Sequence, residues 1–295
     1  MTWDFERVAG PYEFTEGPVW DGTGILFTDI PTSRILRYDR ASGETSVYRD
    51  GTDCANGLKF GPDGALYGCE MRGQRVSRYE PDGDRTVIAD SFEGKRLNSP
   101  NDLAFDGDGR LWFTDPDIAV DWLDDADRTI ELDHTSVYRA DPVSGDGWPI
   151  TRVTTDTTQP NGILVSPDDD TLYVAESNTG TPGQIELRGY DIRADGSLGA
   201  YRVLHNFSPH RGIDGMCLDE AGNIVATAGY HHGGPGPLLY VFAPSGRILA
   251  THESPDPRPT NCCFGDEDLR TLYVTGYDGC LYRARTDRRG FLGAP

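Results

Sequence analysis

Lysine is nearly missing from this chain. It occurs only at Lys59 and Lys95, and the other 25 of the 27 cations are arginine. Against them stand 48 acidic residues, 35 of them aspartate, giving a formal net charge of −21. Nucleic acids and anionic membranes are gripped by clustered Lys and Arg, so neither is an expected partner. The acid excess fits either a GC-rich genome or a salt-adapted organism. Long apolar runs are missing too: no stretch of 18 apolar residues exists to cross a bilayer as a helix. The first ten residues have neither a basic start nor an apolar core. No signal peptide is read there, and a cytoplasmic location is expected. The six cysteines, Cys54, Cys69, Cys217, Cys262, Cys263 and Cys280, show no CxxC or finger spacing. Free buried thiols are expected, not disulfides or a structural zinc site. Glycine-rich phosphate cradles (GxGxxG, GxxxxGK[ST]) are absent, and so is a GxSxG nucleophile elbow, which disfavours a serine hydrolase.

What is present is turn chemistry, with 36 glycines and 20 prolines, and an internal repeat. One unit runs from a polar residue into an apolar strand, through a Gly/Asp turn, and into a second apolar strand. The turn-and-strand part recurs at Asp21–Asp29, Asp63–Tyr67, Asp108–Phe113, Asp169–Val174, Ala221–Val225 and Leu269–Val274. Third strands follow at Arg34–Tyr38, Arg75–Tyr79, Ser136–Arg139 and Leu238–Phe242, and fourth strands are weaker, as at Thr86–Ile88. Short alternating strands cannot bury both faces alone. Six such sheets packed radially can, and ring closure protects their edges. The expected fold is therefore all-β: one six-bladed β-propeller over residues 1–295, about four antiparallel strands per blade. The last unit is a strand short, and Trp3–Val8 is expected to supply it.

Aligning the units places one polar residue before each first strand: Glu16, Asn56, Asn101, Asn161, Asp214 and Asn261. First strands line the axis of a propeller, so the six should ring one mouth of its channel. A single Asn or Asp before a strand is ordinarily a turn cap. Six aligned ones, two of them acidic and none aliphatic, point to a site. Carboxylates and amide carbonyls are hard oxygen donors, suited to one divalent cation; Ca²⁺ is expected, with Mg²⁺, Mn²⁺ or Zn²⁺ as alternatives. Two carboxylates crowded together also need such an ion. The second strands end at Asp29, Glu70, Asp115, Glu176, Ala228 and Gly276. The four acids there are read as bonding to backbone between blades, with a second polar ring as the alternative.

The motifs Glu16-Gly17-Pro18-Val19-Trp20, Lys95-Arg96-Leu97-Asn98-Ser99-Pro100-Asn101-Asp102, Phe113-Thr114-Asp115-Pro116, Gln159-Pro160-Asn161-Gly162-Ile163 and Ile213-Asp214-Gly215-Met216 resemble the gluconolactonase, senescence marker protein (regucalcin) and luciferin-regenerating enzyme family. Pro259-Thr260-Asn261-Cys262 resembles the last-blade motif of its bacterial gluconolactonase branch. The resemblance runs in order along nearly the whole chain. It implies a six-bladed propeller, hydrolysis of a small sugar-derived lactone, metal ligands at Glu16, Asn161 and Asp214, and a metal or substrate contact at Asn101. The regucalcin branch has a substrate-gripping Arg where this chain has Ser99, and Arg96 or Arg72 is the candidate replacement.

The remaining candidates for substrate contact are Asn56, Ser99, Arg96, Asn261 and His231. His231 and His232 lie in a Tyr230–Gly236 loop expected either to overhang the pocket or to be solvated. Residues 117–134 lengthen unit three, and Ile118 and Trp122 give them one apolar face, as in a lid, with a plain surface excursion as the alternative. Asp214 is the candidate general base, acting on water that the ion has acidified, and Asn101 and Asn161 position the ring. A phosphotriesterase on the same metal site and a non-catalytic ligand- or protein-binding propeller are the alternative functions. The composition leaves the oligomeric state open.

Overall fold

The computed structural model describes residues 2–118, 120, 129–143, 147–178 and 184–293. It contains no helix among them, and its strands form six sheets of four or five, plus one two-stranded hairpin. Thr15–Trp20, Ala55–Phe60, Leu103–Phe105, Pro160–Val165, Ile213–Asp219 and Pro259–Gly265 are the innermost strands. Each packs against the innermost strand of the next blade, closing a ring.

Alternation builds the core. In blade one, Leu26 and Ile35 face blade two with Leu58, Leu66 and Tyr79, while Ile25, Phe27 and Leu36 face blade six with Tyr273 and Leu281. The same division holds around the ring, so the core is six wedges, one between each pair of blades. A two-residue period that buries both faces is what radial packing requires. Hydroxyls stitch the wedges near the axis. Thr28 donates to the Asn56 carbonyl at 3.1 Å, Ser177 to Ile213 at 2.6 Å, Thr227 to Thr260 at 2.7 Å, and Thr260 to Thr15 at 2.7 Å.

The N-terminus closes the last blade, as the repeat implied. The closing strand is Glu6–Ala9, not Trp3–Val8, and it pairs Glu6 with Arg283 and Arg7 with Tyr282. Trp3 does a different job. It stacks on His252 with centroids 3.8 Å apart, donates to Asp287 at 2.9 Å, and lies buried between blades five and six. Sequence reading missed the other terminus. Gly290–Phe291 pairs with Ile213–Asp219, placing a fifth strand inside blade five, on the axis.

The four acids that end the second strands bind neighbouring structure. Asp29 accepts from the amides of Glu13 and Phe14, Asp115 from Asn98, and Glu176 from Thr158 and Gln159. Glu70 takes Arg75 and Arg85. Asp29, Asp115 and Glu176 thus anchor the loop leading into their own blade's inner strand, and Glu70 is paired with arginines; the bonds lie within a blade and not between blades as expected. In blade six the strand ends at Gly276, and Asp256 fills the vacant place from a loop. A Cβ on Gly276 would lie 1.8 Å from the Asp256 carboxylate. Blade five has Ala228 there and no such acid.

Candidate metal centre

Five of the six ring residues sit at a break in strand register, and the sixth, Asn101, lies just before its inner strand, Leu103–Phe105. Pairing shifts between Glu16 and Val19, Ala55 and Leu58, Pro160 and Ile163, Ile213 and Met216, and Pro259 and Cys262. A bulge unhooks one residue from the ladder and re-aims its side chain, here toward the axis. The residue after it must let the next blade approach. A Cβ on Gly17, whose φ is +52°, would lie 2.2 Å from the Asn56 carbonyl, and one on Gly215 would lie 2.0 Å from Cγ of Asn261. The Gly57 amide donates to the Asn101 carbonyl at 2.9 Å, and Asn261 Nδ2 donates to Glu16 Oε2 at 2.9 Å. The last bond joins blade six to blade one across the closing seam of the ring.

Glu16 is 4% exposed and is the electrostatic problem of the site. Burial, and then the charges of Asp214 and Asp102, hold its carboxyl well above the usual range; the Gly17 amide and Asn261 offset this only partly. Asp102 is pushed up to about 6 by burial, against the opposing charge of Lys59. Asp214 is less buried, and its Oδ2 forms an ion pair with Arg211 Nη2. Glu16 Oε1 and Asp214 Oδ1 have no hydrogen-bond partner among the described residues. The same is true of the Asn101 and Asn161 side-chain amides, although Asn101 is 5% exposed. These are acceptors aimed at a mouth with excess negative charge, which is the fit a hard divalent cation requires. Among the described residues no three of His, Cys, Asp or Glu come together as a metal cluster. An ion here would therefore be held by amide oxygens beside two carboxylates.

The other candidates divide. Asn56 joins the ring, but its Nδ2 contacts Met71 Sδ at 3.3 Å. Ser99 is fully buried and spent: its hydroxyl donates to the Pro116 carbonyl at 2.5 Å and accepts from the Ile118 amide. It pins the chain just after the second strand of blade three, Leu111–Asp115. Arg96 is exposed in the Ser91–Phe92/Lys95–Arg96 hairpin, outside the ring. Arg72 is tied to the Asp53 carbonyl by its amide. The inward guanidinium beside Asp214 is that of Arg211, which sequence reading passed over. The Tyr230–Gly236 stretch is not a loop: Tyr230 pairs with Gly233, and His231 and His232 form an exposed hairpin tip. Ile118 and Val120 pack over Ile30, Cys54 and Met71, while Trp122 lies outside the described residues. All six cysteines are free and buried, as expected.

A closed propeller with bulge-aimed carboxylates and amides at one mouth defines a class: a six-bladed propeller with an axial oxygen-donor site. The chain belongs to the SMP-30/gluconolactonase/LRE-like family, whose model matches residues 14–277. It is 31% identical to a gluconolactonase of Zymomonas mobilis, over 97% of this chain and 82% of that one. It is 30% identical to the diisopropyl-fluorophosphatase of Loligo vulgaris, over 97% of this chain and 93% of that one. A solved gluconolactonase structure from Xanthomonas campestris superposes with a TM-score of 0.82 at 32% identity, covering 96% of this chain and 89% of that one.

Proposed function

We propose that this protein is a lactone hydrolase that opens a small sugar-derived lactone with one divalent cation, Ca²⁺, held by Glu16, Asn101, Asn161 and Asp214. One observation carries the reading: these four side chains, from four blades, keep unspent oxygen acceptors at one mouth of the axis. Two relatives with gluconolactonase in their names support the substrate class. When bound, a hard divalent cation supplies Lewis acidity and lowers the pKa of nearby water. The chain's own residues do the rest. Asn261 and the Gly17 amide fix Glu16 through Oε2 and leave Oε1 facing the mouth. Arg211 holds Asp214 Oδ2 and leaves Oδ1 to accept a proton. The Asn101 and Asn161 amides orient the lactone oxygens, and the buried walls limit bulk water.

The resemblance to a fluorophosphatase supports a second reading, phosphotriester hydrolysis at the same site. A panel of aldonolactones and phosphotriesters, assayed with calcium and with excess chelator, separates the two. Lactone hydrolysis lost in chelator and restored by calcium is expected. Full activity in excess chelator would overturn the metal reading, and turnover of phosphotriesters alone would replace the first reading with the second.

A further inference from the structure

Three residues before each ring position, where the chain approaches the same mouth, stand Glu13, Asp53, Asn98, Thr158, Arg211 and Arg258. The cations are confined to blades five and six. In blade five, where the anchoring acid is replaced by Ala228, Arg211 turns inward. Its Nη1 donates to the carbonyls of Gly229 at 2.8 Å and Pro259 at 3.1 Å, and its Nη2 holds Asp214. Both terminal nitrogens are therefore spent. Arg258 differs. Its backbone is fixed, the amide donating to Asp256 at 2.6 Å and the carbonyl accepting from Tyr277 at 3.2 Å. Its side chain stands exposed at the rim, the guanidinium 4.6 Å over the Tyr277 ring. Phe14, two residues before Glu16, meets that ring edge-on at 5.0 Å, so the platform adjoins the approach to Glu16. The His231 amide donates to the Pro257 carbonyl at 3.0 Å, bringing the histidine hairpin alongside.

Arg258 makes no side-chain ion pair among the described residues, in a chain with 48 acids and 27 cations, and its charge acts on the guanidinium of Arg211. Two guanidiniums side by side repel unless an anion lies against them. We propose that Arg258, braced on Tyr277 beside Arg211, is a specificity-determining residue that takes an anionic group of the substrate, a carboxylate or a phosphate. This rests on the lactonase reading and names its substrate class: a lactone carrying an anionic group away from its ring carbonyl. Arg258 is the gripping residue and Arg211 is not, because only the Arg258 guanidinium is free to bind.

The test compares gluconolactone, phosphogluconolactone and glucarolactone as substrates of the wild type and of Arg258→Lys, Arg258→Gln and Arg258→Glu. The wild type is expected to favour at least one anionic lactone over the neutral one by about 10-fold or more in kcat/KM, the scale of one charge-assisted hydrogen bond. The preference should appear in KM, persist in Arg258→Lys, collapse in Arg258→Gln and reverse in Arg258→Glu. The phosphate and carboxylate arms identify the anion. A wild type indifferent to substrate charge, or a ratio untouched by Arg258→Gln, would overturn the proposal. Should no lactone of either charge be hydrolysed, the lactonase reading fails, and calorimetric titration of glucitol phosphate against glucitol in calcium buffer still decides. Phosphate-dependent affinity lost in Arg258→Gln supports the anion site, and equal affinities refute it.

Discussion

Replacing Gly215 by alanine puts a methyl group where Asn261 already is. The added Cβ would lie 2.0 Å from Cγ and 2.2 Å from Oδ1 of Asn261, and the φ of Gly215 is outside the left-handed region, so the cost is steric. Asn261 cannot retreat freely. It is 6% exposed, its Nδ2 donates to Glu16 at 2.9 Å, and its Oδ1 accepts from the Cys262 amide at 2.8 Å. Losing a hydrogen bond to a carboxylate costs about 1.5–3 kcal/mol. Overpacking costs about 1–3 kcal/mol more. The alanine recovers about 0.4–1 kcal/mol by restricting the unfolded chain. The balance is a destabilisation of about 3 kcal/mol, read by urea unfolding in excess chelator so that ion binding does not enter. A double-mutant cycle isolates the cause. With Asn261→Ala in the background the methyl has room, and Gly215→Ala should then cost less than about 1 kcal/mol. A single variant as stable as the wild type, or a cost unchanged when Asn261 is removed, would refute the close packing of blades five and six at the axis.

Asp214→Asn keeps one ligand oxygen but loses charge and basicity, so kcat at saturating calcium should fall by about 100-fold or more; wild-type kcat there would make Asp214 a ligand only. Deleting residues 1–9 removes the closing strand and a buried Trp worth about 3–5 kcal/mol, and exposes an edge, so the product should aggregate. A soluble, equally stable truncation would contradict the closure. Asp256 is pushed up to about 7, first by burial and then by Asp278. A carboxyl with a raised folded-state pKa contributes stability fully present below about pH 4 that is lost as pH rises toward 7. Asp256→Asn should therefore flatten the pH dependence of the unfolding midpoint between about pH 4 and 7. An identical profile in the variant would show that the Asp256–Asp278 pair does not share a proton.

The blade count and the ring were legible because they are properties of the repeat. Alternating strands with Gly/Asp turns have one economical packing, and a residue at the same place in each unit must recur around the axis. Glu16, Asn101, Asn161 and Asp214 could thus be aligned without coordinates, and so could the acids at Asp29, Glu70, Asp115 and Glu176. The last repeat, one strand short, likewise announced the N-terminal closure. What alignment could not supply was any contact that breaks the repeat. Ser99, in line with a family position, is buried beneath Pro116 and Ile118. Arg211 ties Asp214 to the Gly229 and Pro259 carbonyls across blades five and six, and Asp256 occupies the hole left by Gly276. The Gly290–Phe291 strand lies on the axis against a partner more than seventy residues earlier in the chain. Each depends on volume and charge shared by residues far apart in sequence. The repeat determined where the site lies, and packing between blades decided which side chains remain free to act there.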